Sequence, residues 1–239
     1  MESRKLKKII LVSFLLVCIL ICNSIPIMAS NEKSSDNEIL VNQLQIATIQ
    51  LDGKNISIPI RKHVPVKTFS SNPSTQEVAD FFIPVSKEAR DYNQKLIRDM
   101  KMRLTTTDQA LDTAGYFTAT STINYTRDTY NSHPRIKMSS FSVNNEGDLD
   151  GYLVGLGSPQ AEVFQLGYYG PAGHPEVMDQ RKSYSLNWAK SATVPSSWLP
   201  VCTDIDSHLR GVQYNILLIY SNGDGTVREE NCNFFHSCG

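Results

Sequence analysis

Cys202, Asp204, Asp206 and His208 stand at every second position of one short run. On an extended strand all four side chains share a face, and carboxylates with an imidazole are a plausible ligand set for a transition metal. The segment Val201–Asp206 reads equally well as a loop, where Asp and Ser bond to nearby backbone. Residues 222–226, Asn-Gly-Asp-Gly-Thr, look like part of a calcium loop. Asp224 is the one carboxylate inside it, with Glu229 and Glu230 following, and a hairpin turn accounts for it better.

Hydrolytic chemistry needs a nucleophile, a base and an orienting group. The chain has no Gly-x-Ser-x-Gly, and its five histidines, at 63, 133, 174, 208 and 236, are scattered. His-Glu-x-x-His, Cys-x-x-Cys and phosphate-binding glycine loops are missing, so no cofactor is expected. No catalytic set is assigned. The loop 167–174, Gly-Tyr-Tyr-Gly-Pro-Ala-Gly-His, places adjacent aromatics beside glycines. Such tyrosines give flat, rigid, amphipathic contact area. Tyr168, Tyr169, His174 and the nearby Trp188 are therefore the candidate ligand-binding residues.

The elements that would position these residues are mostly strands. Val212, Tyr214, Ile216, Leu218 and Tyr220 alternate along the most apolar run outside the N-terminus, with Leu217 and Ile219 on the other face. A strand covered on both faces is expected there, turning at Asn222–Gly225 into a partner. Further strands are expected at 116–125, 135–143, 151–156, 162–169 and 183–188, making an antiparallel β-sandwich of about seven strands over residues 111–239. Upstream, Leu44–Leu51 and Ile56–Ile60 flank Asp52-Gly53 as a hairpin, with Pro59 restricting the second run to an edge. Thr75–Ile83 reads as a short helix stopped by Pro84. Ser86 caps a second helix to about Met102. Its apolar stripe is Ala89, Tyr92, Leu96, Ile97 and Met100, with Arg90, Asp91, Lys95, Arg98 and Asp99 on the wet side. The stretch 30–110 is thus an appendage, or a pro-region, of hairpin plus amphipathic helix, opening on a polar leader at 30–38.

Arg4, Lys5, Lys7 and Lys8 precede an apolar run from Ile9 to Cys22, and small residues follow at Ala29 and Ser30. This is the layout of a secretory signal peptide over residues 1–29. Val17 and Ile21 stand where a lipidation signal before Cys18 or Cys22 wants a small residue. Removing four basic residues and Glu2 from totals of 23 and 24 leaves 19 Lys and Arg against 23 Asp and Glu, a net charge of −4. That balance gives no pull towards nucleic acid. No other run is long and apolar enough to span a bilayer as a helix. Export places Cys202, Cys232 and Cys238 where disulfides persist, and a Cys202–Cys232 bridge is expected to tie the central hairpin to the segment before it.

In plan, with signal peptide, N-terminal appendage and Tyr/Ser/Thr-rich β domain, the chain resembles small secreted β-sandwich proteins of Gram-positive bacteria. The first functional expectation is a secreted, non-enzymatic protein that binds a partner protein or a cell-surface glycan. An antimicrobial or toxin-like protein with a pro-region, and a secreted hydrolase, are the alternatives.

Overall fold

Alternation along the apolar run does what it demands. Arg210–Ser221 is a strand, paired antiparallel with Val227–Ser237 from Gly211↔Ser237 to Ser221↔Val227. Val212, Tyr214, Ile216, Leu218 and Tyr220 are all at most 2 % exposed. The turn expected at Asn222–Gly225 lies outside the described residues. The structure is a computed structural model that describes residues 43–68, 73–102, 111, 115–146, 153–157, 159–169, 177–186, 190–204, 209–221 and 226–239. The chain divides into residues 1–39 and 40–239, and every described residue belongs to the second unit.

In chain order the elements are β1 (Gln43–Leu51), β2 (Lys54–Lys62), β3 (Val66–Thr68), β4 (Ser74–Pro84), α1 (Lys87–Lys101), β5 (Tyr116–Tyr130), β6 (His133–Glu146), β7 (Leu153–Leu156), β8 (Gln160–Tyr168), β9 (Val177–Ser185), β10 (Ser191–Thr193), β11 (Val201–Cys202), β12 (Arg210–Ser221) and β13 (Val227–Ser237). The strands form one thirteen-stranded sheet in the order β10-β6-β5-β4-β2-β1-β13-β12-β8-β9, with β11 on β6, β3 on β4 and β7 on β12. Every pairing is antiparallel.

The sheet is nearly closed into a barrel. Its seam, between β6 and β8–β9, is bridged by the segment Lys190–Asp204. On one side Val143 N donates to Lys190 O, Val194 N to Ser139 O and Thr203 N to Pro134 O, each at 2.8 Å. On the other, Leu199 N donates to Gln180 Oε1 at 2.6 Å, and its carbonyl accepts from Gln180 and Gln165 at 2.8 and 2.7 Å. Gln165 crosses the seam outright, its Oε1 accepting from Met138 N at 2.6 Å. The mainly β, antiparallel architecture is as expected, but a seven-strand sandwich is not what forms. Sandwich and barrel share one period-2 signature. The choice between them rests on long-range closure, which a local pattern does not carry.

β1, β2, β3 and β4, which lie in the stretch read as an appendage, are part of that sheet. β1 joins β13, and β4 pairs with β5 from Thr75↔Tyr125 to Pro84↔Tyr116. The short helix expected at Thr75–Ile83 is therefore the strand β4. Ala79, Phe81 and Ile83 join the main core, whereas Phe82 joins a second cluster. Burial on both faces hides the alternation that marks a half-buried strand. Likewise β9 ends at Ser185, and Trp188 lies outside the described residues. The hairpin at Asp52-Gly53 forms as expected, both residues with positive φ, 49° and 73°. Such a two-residue turn requires that conformation.

Inside the barrel, aromatic rings run across from strand to strand. Phe81 meets Phe234 at 4.5 Å between centroids, Phe234 stacks on Tyr214 at 5.1 Å, Tyr214 meets Phe141 at 6.3 Å, and Phe141 meets Tyr184 at 5.2 Å. Edge-on and offset contacts of this kind add to the burial of their large area. Beside them sits a polar chain: His236 Nδ1 lies 2.8 Å from Ser121 Oγ, Ser121 donates to Tyr214 Oη at 3.0 Å, and Tyr214 donates to Ser142 O at 3.0 Å. Each hydroxyl has one proton. Both are spent down the chain, so His236 carries its own on Nδ1 and donates to Ser121. Gly211 lies against this histidine. A Cβ there would sit 2.0 Å from His236 O, and φ is +148°.

The helix α1 lies on the outside. Ser86 Oγ caps it by accepting from Ala89 N at 3.0 Å, as expected. Ala89 and Leu96 pack with Phe82, Leu111 and Tyr116 as a cluster separate from the barrel core. Tyr92, expected in the apolar stripe, is 38 % exposed, and Asn93 takes a buried place instead. No helix among the described residues is long and apolar enough to cross a membrane.

Candidate functional site

The site begins with a split in the sheet. β2 pairs with β1 along its whole length but with β4 only at Ile60–Lys62. Next to that junction stands Pro59. His63 N donates to Val78 O of β4. Strand alternation then turns the nitrogen of Pro59 and the carbonyl of Ser57 to the same edge. Proline has no N–H to offer there, so the ladder stops and β2 and β4 diverge. Pro59 thus marks a partial edge, as the sequence implies, inside the sheet rather than at its rim.

Side chains of α1 close the gap. Asn93 Nδ2 donates to Ser57 O at 2.8 Å, and Arg90 Nε donates to Pro84 O at 3.3 Å. Between them lies a pocket of about 410 Å3, at the small end of ligand pockets, which run from about 300 to 1,000 Å3. Its walls are Leu51, Asp52 and Lys54 from the β1–β2 hairpin, Ile56 and Ser57 of β2, Pro84, Glu230 of β13, and Arg90, Asn93, Gln94 and Ile97 of α1. The helical residues recur at spacings of three and four, which gives one face of α1.

Arg90 is the anchor. Its Nη2 donates to Glu230 Oε2 at 2.7 Å and to Tyr220 Oη at 2.9 Å. Burial works against the guanidinium charge, yet the hydrogen bond and charge of Glu230 outweigh it and hold the Arg90 pKa above its ordinary value. Tyr220, buried and bonded to the same pair, is pushed up to about 12. The charged lining residues balance, with Lys54 and Arg90 against Asp52 and Glu230. Asn93 is 5 % exposed, and its Oδ1, shielded from solvent, has no hydrogen-bond partner among the described residues. A buried acceptor without a donor costs about 1–3 kcal/mol. Such a group beside a cavity is a chemical demand that a ligand's N–H or O–H would meet.

The residues singled out from the sequence fall elsewhere. Tyr169 is 37 % exposed at the end of β8. With Tyr130 it flanks the Arg135 guanidinium, at 5.6 and 4.9 Å from the two ring centroids. Asp128 holds Arg135 from below through two bonds of 2.8 and 2.7 Å. Tyr168 pairs in register with Val177 of β9. His174 and Trp188 lie outside the described residues. Of the metal set, Asp204 Oδ2 is 2.8 Å from His133 Nδ1, and Asp206 and His208 lie outside the described residues. Among the described residues no three His, Cys, Asp or Glu side chains come together as a metal site.

Cys202, Cys232 and Cys238 are free and buried. The expected Cys202–Cys232 bridge is not formed in this structure. Cys202 sits on β11 opposite Arg135 of β6, whereas Cys232 sits between Ile216 of β12 and Leu51 of β1. β6 and β13 are not neighbours in the sheet. Burial pushes the Cys202 thiol up, and burial with the nearby Glu230 pushes Cys232 up to about 12. Both are poor nucleophiles for that reason.

Sequence reasoning passed over Arg90, Asn93 and Glu230. One signal was available. Asn93 lies four residues from both Ala89 and Ile97, so a polar side chain interrupts the apolar face of an amphipathic helix. Comparison with protein-family models, with curated proteins and with solved structures finds no match to this chain.

Proposed function

We propose that the mature chain is a secreted, non-enzymatic binding protein that holds a cell-surface polymer in the pocket between α1 and the split sheet. The observation that carries this reading is Asn93. Its amide is buried at the wall of the pocket, its nitrogen is committed to Ser57 O, and its oxygen has no donor. The Arg90–Glu230 pair beside it is pre-organised by Tyr220 and Pro84, and preorganisation lowers the cost of binding. Export rests on the basic, apolar and small-residue layout of residues 1–29.

The hydrolase reading has less behind it. The barrel does bring one serine and one histidine to 2.8 Å, Ser121 and His236. Both are at most 2 % exposed, and the imidazole donates to the serine instead of accepting from it. Among the described residues the pair is sealed from solvent, and Ser121 already gives its proton to Tyr214.

The test is co-sedimentation of the mature chain with insoluble polymers: peptidoglycan, chitin and cellulose. Retention on at least one of them is expected, and Arg90→Ala, which removes the anchor of the pocket, should reduce it. Absence of retention on all three, or equal retention of Arg90→Ala, would overturn the proposal.

A further inference from the structure

Resting on that reading of the pocket, we propose that the unit it recognises is an N-acetylated sugar, held by its acetamido group. Three properties of the lining point there. The first is charge: among the described residues two cations and two anions line the pocket, so a neutral group enters without leaving an uncompensated charge, which would be costly in a partly dry site. A free amino sugar or a uronic acid would bring one.

The second is hydrogen bonding. Asn93 Oδ1 needs a donor, while Lys54 and Gln94, exposed on the rim, carry donors that can serve an acceptor. An acetamido group carries one N–H and one carbonyl in a single plane. Its N–H satisfies Asn93, and its carbonyl accepts from the rim. Asn93 Oδ1 is shielded from water in the free protein, so binding requires the side chains around it to shift as the N–H arrives.

The third is apolar area. Leu51, Ile56, Pro84 and Ile97 supply aliphatic wall, and among the described residues no aromatic ring lines the pocket. Stacking of a flat sugar face, the usual apolar contact with a hexose, has no platform here. A methyl group does fit an aliphatic wall, and burying one is favourable by the ordinary area term. The acetamido methyl is the part of the ligand that the wall selects. A plain hydroxyl sugar meets the donor requirement but leaves the wall unfilled.

The experiment is a calorimetric titration of the mature chain with three soluble disaccharides of one linkage: N,N′-diacetylchitobiose, its fully deacetylated form, and cellobiose. The acetylated disaccharide should bind, and the other two should bind at least roughly tenfold more weakly, since each lacks one hydrogen bond and one buried methyl. Asn93→Ala should weaken the acetylated ligand roughly tenfold. Cellobiose binding as tightly as the acetylated form overturns the acetamido inference, while the pocket reading stands if Arg90→Ala still lowers retention on polymer. Failure of all three sugars, with polymer retention intact, also overturns the inference and points to a peptide occupant. The comparison between ligands needs no variant, so it holds even if Asn93→Ala folds poorly.

Discussion

Acidification should destabilise this protein through a buried histidine. His236 is 2 % exposed and donates from Nδ1 to Ser121, deep in the barrel. Burial, with a smaller push from the charge of Lys62, lowers its pKa from 6.5 to about 3. The group is a base whose folded pKa lies below its unfolded one. Above pH 6.5 it is neutral in both states and has no effect on stability. Below pH 6.5 the unfolded chain takes up a proton that the folded chain refuses until about pH 3. Stability therefore falls as pH falls through that window, by about 1.36 kcal/mol per pH unit from this group alone. Between pH 6.5 and 4.5 the loss is about 2.7 kcal/mol, a large share of a domain's usual total of about 5–15 kcal/mol. Urea unfolding at pH 7.0, 5.5 and 4.5 measures it. Carboxylates contribute their own slope over the same range, so the comparison is with His236→Gln, whose amide N–H can keep the bond to Ser121 and which does not titrate. The wild type should lose more stability than the variant between pH 6.5 and 4.5, by about the amount above. Identical slopes would refute the argument, as would an imidazole in the folded protein that titrates near pH 6 by NMR.

Other expectations follow from the fold. Ile216 is 2 % exposed and faces Cys232 across the central pair, so Ile216→Ala should cost about 2–5 kcal/mol, read as a lower denaturation midpoint. Residues 111–239 expressed alone should lack cooperative unfolding and slow amide exchange, because β1, β2 and β4 sit between β5 and β13 in the sheet; a folded fragment would restore the pro-region reading. Mass spectrometry of exported material should find an N-terminus within a residue or two of Ser30, and retention of the apolar run would remove the basis for secretion.

What could be read from the chain was local and repetitive. The faces of β12 followed from five apolar residues at alternate positions, the β1–β2 turn from Asp52-Gly53, and the helix start from Ser86. What could not be read depends on partners distant in sequence. β4 looked helical because both its faces are apolar near Pro84, one packed into the barrel and the other under α1. The barrel needed the seam, and the seam depends on Gln165 and Gln180, two glutamines with no pattern to mark them. The pocket was hidden in the same way. Arg90 reads as a wet-side helical residue, but its guanidinium reaches Glu230 and Tyr220, 140 and 130 positions away. Asn93 alone left a trace, as a polar residue inside an apolar stripe.

The central claim is that ligand is held between α1 and the split of the sheet, and amide hydrogen exchange with and without bound polymer fragment tests it most directly. Protection on binding should be confined to residues 51–57, 84–97 and the neighbourhood of Glu230. Protection centred on Tyr130, Arg135 and Tyr169, with none at the helix, would contradict the account and move the binding surface to the far aromatic patch.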